Sequence, residues 1–489
     1  MYLVSKVLGR DDPRKNLWGK IHQTIADKLR DELKTACLIL IPRGHLKSTL
    51  VTAGWVIQQL LIDPSLRILI ASAESKHAEG FLNTIRTQIT NNPKFIERFG
   101  DLKDDRKWSS KMFDVKGKTA GAKENSVTAA GIGTDMTSQH YDIIILDDLV
   151  NRRYARSEEM RYKCFNFYTD CLDLLEPDGK LIAIGTRWHF FDIYSELIKA
   201  NKTIKNLDFV VDEPTMYHPT FERRDFEKMF KDKDTTYCFP EKFSPKYTEG
   251  LYHRKLLKPG GFFEFACQQM NFPVQGKNSP FRVEDIEFIK TLPGTVTKYM
   301  TIDPAGTNKI TKEQDDTAIA VTAMDLNGDI INVDMFSEPT TNEGLFTATY
   351  DMYLQHPDCR KIGLETNFNE LNEMYLKQKY PELRNKVKGY KASNQNNKED
   401  RMKALQPYCH NGKFKILEHD DGDEYTFGDK TARLRPGQRK LLGQMIDFGV
   451  SGHDDALDAQ AAALMFLKRP VVHQENNYTY IPDDEMTGY

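Results

Sequence analysis

Two groups of residues in this chain have the types and spacing that phosphate chemistry uses. The first lies in LILIPRGHLKST, residues 38–49, where an apolar run leads into Lys47-Ser48-Thr49. The general phosphate-loop pattern is G-x-x-x-x-G-K-[ST]. Here Ile41 and Leu46 hold the two glycine positions, and Gly44 sits between them. A strand that runs through such a loop into a helix gathers free backbone N–H groups around a phosphate. On that reading Gly44 belongs to the cradle, Lys47 reaches the β- and γ-phosphates, and Ser48 takes Mg2+. Thr49 falls one place farther on, at the helix start. Arg43 adds a cation that can stabilise a transferring phosphoryl group. The plainer alternative is a helix N-terminus with a solvated lysine.

YDIIILDDLV shifts the balance. Residues 143–146 read as a strand buried on both faces that delivers Asp147 and Asp148 to its C-terminal edge, where ligands of α/β sheets bind. Asp147 is placed to hold magnesium through water, and Asp148 to orient or deprotonate an attacking water. RILIASAES (67–75) and KLIAIGTRWHFFDIY (180–194) supply two more strand ends. Thr186 is positioned to sense a γ-phosphate, against the alternatives of a helix cap for Thr186 and simple packing for Trp188. Loop and acidic strand together predict a P-loop NTPase.

The second group lies in the C-terminal half. Asp303 ends the strand KYMTID, Glu365 ends RKIGLE, and SGHDDALDAQAAALMFL (451–467) opens a helix with Asp454, Asp455 and Asp458. Asp455 and Asp458, three apart, share a helical face. Carboxylates that converge repel one another unless cations lie between them. Two Mg2+ or Mn2+ ions about 4 Å apart would account for the group and activate water for phosphodiester cleavage. Helix-capping and solvated aspartates are the alternative for Asp455 and Asp458. Asp316, just before the strand TAIAVTAMD, is a candidate supporting acid.

These residues need a scaffold, and the patterning supplies one. Residues 17–35 read as an amphipathic helix, 37–41 as a buried strand, and TLVTAGWVIQQLLI as the helix after the loop. From 236 the sequence turns to prolines, glycines and scattered aromatics, which predicts a connecting subdomain and linker at 236–290. Strands at 298–303 and 317–325, the turn LNGD and the strand IINVDMF then precede a helix at 345–356. The fold class expected is α/β. The division expected is a motor domain at 1–235, the connector, a ribonuclease-H-like domain at 291–470, and an acidic tail at 471–489.

The bulk numbers agree with several domains and exclude some classes. The chain has 489 residues, more than one ordinary core needs. A formal charge of -3 excludes a uniformly basic nucleic-acid coat but leaves room for a local basic groove. The seven cysteines form no CxxC pair, which predicts a reducing compartment. Neither a signal peptide nor an apolar run of roughly 18 residues is present, so no membrane partner is expected. RNKVKGYKASNQNNKEDRMKAL and DKTARLRPGQRKLLGQ carry Lys386, Lys388, Lys391, Arg433, Arg435, Arg439 and Lys440 as candidates for a groove that binds phosphates without reading bases.

Taken in order, the motifs resemble those of the large terminase subunit of tailed bacteriophages, over roughly residues 15–470. In that family an arginine-bearing loop often replaces the glycine pattern, so PRGHLKST fits with Arg43, Lys47 and Ser48. AAGIGTDMTSQHYDIIILDDL resembles the approach to its acidic strand, with Asp148 where many relatives have glutamate. IGTRWHFFDIY resembles its coupling motif, and FEFACQQMNFPV the segment before its nuclease domain. The resemblance implies an ASCE/RecA-like ATPase joined to a resolvase-like nuclease whose metals sit on Asp303, Glu365, Asp455 and Asp458. It implies ATP and Mg2+, with Mn2+ able to substitute in the nuclease site. Double-stranded DNA, a small terminase subunit and the portal protein are the implied partners, with assembly as a ring of about five subunits on the prohead. The implied location is the host cytoplasm and, transiently, the portal, not the mature virion. The rival reading is an ATP-dependent helicase–nuclease of repair or restriction, which should show later helicase motifs and a second motor-like domain.

Overall fold

This computed structural model describes residues 3–8, 18–30, 35–119, 123–203, 209–212, 226–231, 235, 237–258, 261–275, 279–305, 315–366, 371–391, 395–427, 430–449 and 454–470. The acidic tail expected at 471–489 lies outside them. The chain divides into two compact units. The first is built from Met1–Val283, Asp423–Arg433 and Gly443–Gly452, and the second from the rest.

The first unit holds an eight-stranded sheet. Its strands are β1 Ala36–Leu40, β2 Ile68–Ser72, β3 Lys103–Trp108, β4 Met112–Val115, β5 Val127–Gly131, β6 Tyr141–Asp147, β7 Leu175–Gly185 and β8 Phe209–Asp212. They lie in the order β3-β4-β5-β2-β6-β7-β1-β8. All pairings from β5 to β8 are parallel, while β3 and β4 add an antiparallel edge. The parallel strands are near-continuous runs of Ile, Leu, Val and Ala because helices cover both faces, so alternation is not required. One strand, β7, separates the loop strand β1 from the acidic strand β6, the arrangement of an additional-strand P-loop ATPase. Arg67 fastens the opposite edge, with paired bonds to Asp142 at 2.6 and 3.0 Å and one to Glu176 at 2.8 Å.

The helix expected at 17–35 is described at Lys20–Leu29, with Ile21, Ile25 and Leu29 on its buried face. After the loop, Thr49–Trp55 is a wide π-type turn that passes into the α-helix Val56–Ile62. At 236–290, where the sequence predicts a connecting subdomain and linker, the described residues through Val283 belong to the first unit. Phe239 and Phe265 are fully buried, and Tyr252 meets Phe265 edge-on at 5.0 Å.

The second unit holds a seven-stranded sheet. Its strands are β9 Glu287–Ile289, β10 Val296–Asp303, β11 Thr317–Asp325, β12 Ile330–Glu338, β13 Lys361–Glu365, β14 Val387–Tyr390 and β15 Phe414–Leu417. The order is β14-β13-β10-β11-β12-β15-β9. β10, β11 and β12 form an antiparallel meander, and β13 and β14 continue parallel to β10. The run β12-β11-β10-β13-β14, with β11 alone reversed, is the ribonuclease-H arrangement. The helix Asp455–Ala462 lies on this sheet with all eight residues buried. Its alanines permit close approach, and Thr301 Oγ1 donates to the Ala459 carbonyl at 2.7 Å. Gln460 joins Asn332 and Thr322 in a buried polar chain at 2.8 and 3.0 Å.

Candidate functional site

In the first unit, the loop leaves β1 beside the ends of β7 and β6. The Ile41 N–H donates to the Gly185 carbonyl at 3.2 Å, and that of Asp148 to Ile184 at 2.8 Å. Gly185 has no room for a side chain, since a Cβ would stand 2.2 Å from the Tyr194 hydroxyl. Gly44 is needed on two counts: its φ is +84°, and a Cβ would press on Phe243 at 3.0 Å. Leu46, at the second glycine position, has φ +60°. The loop therefore keeps the left-handed turn of the general motif without its glycine, at a cost of about 1–2 kcal/mol.

This geometry brings four of the expected residues together. Lys47 Nζ donates to Asp148 Oδ1 at 2.5 Å. Ser48 Oγ donates to Asp147 Oδ1 at 3.1 Å, and Thr52 Oγ1 to Asp147 Oδ2 at 2.5 Å. Asp147 is fully buried. Burial raises its carboxyl above the usual range and Asp148 adds to this, while Lys47, Thr52 and Ser48 oppose it. Asp148 is half exposed and sits at φ +49°, a conformation that Asp tolerates better than most residues.

The remaining expected residues of this unit lie around that core. Arg43 is exposed and leans on Gln268, with its N–H on the Gln268 carbonyl at 2.7 Å and Nη1 3.4 Å from Oε1. Thr49 is exposed at the start of the helical segment, and Thr186 is buried just past β7. Three residues passed over in the sequence complete the site. Thr52 is the second hydroxyl on Asp147. His45, stacked on Phe243 at 4.2 Å, helps to shape the loop. Asp192 is fully buried and accepts the N–H groups of Trp188, His189 and Ser195 at 2.9, 3.2 and 3.0 Å, which organises the loop after Thr186. Only Thr52, four residues after Ser48 and so one turn along, left a signal in the spacing.

In the second unit, one carboxylate oxygen from each of Asp303, Glu365 and Asp458 lies within 4.8 Å of the others. Burial, then Asp458 and Glu365, raise the Asp303 carboxyl well above the usual range, and burial likewise raises Glu365. Such a group is costly unless cations offset it, and its all-oxygen donor set fits Mg2+ or Mn2+ better than zinc. Asp455 stands beside the trio and is not part of it. Its Oδ2 accepts the Asp316 N–H at 3.0 Å, and burial raises its carboxyl to about 6. Asp316 in turn accepts Ser337 Oγ at 2.9 Å and pairs with Lys440. Asp454 pairs with Lys398 at 2.7 Å.

Three of the basic groove candidates, Lys386, Arg435 and Lys440, have partners within the chain. Lys386 donates to the carbonyls of Pro357 and Cys359 at 2.7 and 3.0 Å, and Arg435 pairs with buried Asp334 and with Asp421. Lys398 and Arg401, in the same quoted stretch but not singled out, are the cations that reach the acids. A different basic surface lies in the first unit, where Arg152, Arg153 and Arg156 line a cleft with Trp188, Phe190 and Phe263.

No protein-family profile matches this chain. A stretch of 159 residues is 31% identical to the large terminase subunit of Enterobacteria phage T3, which covers 32% of this chain and 26% of that protein. The match thus spans about a quarter of the curated relative. Among solved structures, the chain is similar to the large terminase of bacteriophage HK97, at 12% identity over 91% of this chain and 98% of that one, with a TM-score of 0.47. It is also similar to a manganese-soaked terminase nuclease domain of human cytomegalovirus, at 14% identity over 40% of this chain and 95% of that domain, TM-score 0.26. The chain resembles large terminase subunits, as the order of its motifs implied. Among the described residues, no helix is long and apolar enough to cross a membrane.

Proposed function

We propose that this chain is the ATP-hydrolysing, DNA-cutting subunit of a viral genome-packaging motor. The observation that supports it most is the joint presence, in one chain, of two sites. One is a phosphate loop whose Lys47 and Ser48 meet Asp148 and Asp147. The other is a carboxylate trio, Asp303, Glu365 and Asp458, on a ribonuclease-H-like sheet.

In the motor site, Lys47 neutralises the β- and γ-phosphates of ATP. Ser48 and, through water, Asp147, already hydrogen-bonded to each other, would hold Mg2+, which would neutralise phosphate charge, and Thr52 fixes the second Asp147 oxygen. Lys47 exchanges Asp148 for phosphate when ATP binds, which leaves Asp148 to orient and deprotonate the attacking water. Arg43 offers a cation at the loop, and Gly44 lets the backbone approach. Thr186, with the loop that Asp192 organises, registers loss of the γ-phosphate. In the nuclease site, Asp303, Glu365 and Asp458 would hold Mg2+ or Mn2+, and such ions supply an activated water and stabilise the leaving oxygen. Asp455 fixes the Asp316 backbone beside them. The partners proposed are double-stranded DNA, a small terminase subunit that selects the genome, a portal protein, and further copies in a ring of about five.

The test uses the full chain. Lys47→Ala should abolish DNA-stimulated phosphate release while plasmid cutting in Mn2+ persists. Asp303→Asn should do the reverse. Undiminished phosphate release by K47A would defeat the motor reading, and undiminished or chelator-resistant cutting by D303N would defeat the nuclease reading.

A further inference from the structure

The acids of the second unit are accompanied by two cations from the helix Gln395–Lys403. Arg401 grips Asp458 with two prongs, Nε to Oδ1 at 2.6 Å and Nη2 to Oδ2 at 2.5 Å, and approaches Glu365 Oε2 at 3.6 Å. Its side chain is 14% exposed and that of Asp458 only 3%. Lys398 is spread more thinly, 2.7 Å from Asp454, 3.4 Å from Asp458 and 3.9 Å from Asp455. One guanidinium thus occupies both oxygens of an acid in the trio. A hard divalent cation at the trio needs at least one of those oxygens. Two single positive charges also leave Asp303, Glu365, Asp454, Asp455 and Asp458 in excess.

We infer that Arg401 is a resident counter-ion for the metal position, displaced from Asp458 when metal binds, and that the freed guanidinium takes a phosphate of the DNA strand to be cut. The inference rests on the reading of this unit as a metal nuclease. Arg401 suits both partners because its planar fork matches carboxylate and phosphate alike. The consequence is linkage. DNA offers Arg401 a second anion, so DNA tightens metal binding, and metal tightens DNA binding by the same factor. The site then stays quiet when either is absent. A merely structural Arg401 would instead pin one helix to another, and its loss would lower stability without improving metal affinity.

Titration calorimetry of the full chain with Mn2+ separates these cases, run with and without a short phosphorothioate duplex. Arg401→Gln should bind Mn2+ about tenfold more tightly than wild type without DNA, about 1.4 kcal/mol, and the duplex should add nothing further. Arg401→Lys, which keeps the charge but loses the fork, should fall between, and it carries the test if R401Q does not fold. Asp303→Asn should lose Mn2+ binding. Unchanged or weaker Mn2+ binding by R401Q and R401K, with D303N defective, would overturn the inference alone. Failure of wild type to bind Mn2+, or equal binding by D303N, would overturn the nuclease reading and the inference with it.

Discussion

The two sites solve the problem of buried charge in different ways. In the first unit, one buried acid, Asp147, is met by the hydroxyls of Ser48 and Thr52, and a single lysine serves its half-exposed neighbour. In the second unit, several acids crowd together and two cations of the chain itself stand among them. On the proposed function, the contrast follows from what each site would receive. An incoming triphosphate would bring negative charge, so the first site would keep one lysine ready and hold its acids with neutral groups. The second site would receive cations, and without them Lys398 and Arg401 stand in. Substitution in the first site should therefore damage a step. Substitution in the second should damage holding.

The sharpest test of that difference compares two Asp→Asn changes. Asn at 148 tolerates the left-handed backbone there and removes only charge. Asp148→Asn should bind ATP normally in a filter assay yet hydrolyse it about 10²–10⁴-fold more slowly, the range for loss of a general base. Asp458→Asn should lose Mn2+ binding and plasmid cutting together. If D148N also lost ATP binding, Asp148 would be holding the nucleotide, and the contrast between the sites would break.

Much of this arrangement was legible in the sequence because strand ends are written there. YDIIILDD, KYMTID and RKIGLE are apolar runs that stop at acids, and that rule singles out Asp147, Asp303 and Glu365. The helix position was harder. Asp455 and Asp458 share a face, and periodicity cannot say which reaches the trio, whereas packing of Ala459 on Thr301 turns Asp458 toward it. Lys398 and Arg401 were hidden among other basic residues, since a charge run looks the same whether it faces water or acid.

Acid should act with opposite sign on two buried groups, His45 and Asp455. Burial lowers the His45 imidazole to about 4 from the ordinary 6.5. The unfolded chain then binds the proton more readily, so the contribution of His45 is present above 6.5 and lost as pH falls toward 4. Between pH 7 and pH 5 this costs about 2 kcal/mol. Asp455, raised to about 6 from 3.8, binds the proton more readily when folded. Its contribution is present below 3.8 and lost as pH rises through 6, so the same change from pH 7 to pH 5 gains about 1 kcal/mol without metal. Urea melts at the two pH values should therefore show a smaller acid loss in His45→Phe than in wild type, and a larger one in Asp455→Asn. Parallel shifts in both variants would remove the distinction.

The smallest expected effect concerns Leu46, where the first site departs most from the general motif. Its φ of +60° is a conformation that L-residues pay for, at about 1–2 kcal/mol, and glycine adopts freely. The side chain returns part of that cost, since Leu46 is partly buried against the core of the first unit. Leu46→Gly trades strain for lost packing and for greater freedom of the unfolded chain, so its stability should stay within about 1 kcal/mol of wild type. Its phosphate release should also persist, because the turn that presents Lys47 is kept. Leu46→Val is the informative partner. A β-branched side chain is a poor fit to the left-handed region, so the turn should open and hydrolysis should fall more than in L46G. Equal hydrolysis by L46V and wild type would show that the turn is dispensable for catalysis. Loss of hydrolysis in a folded L46G would give the leucine side chain a role of its own at the nucleotide.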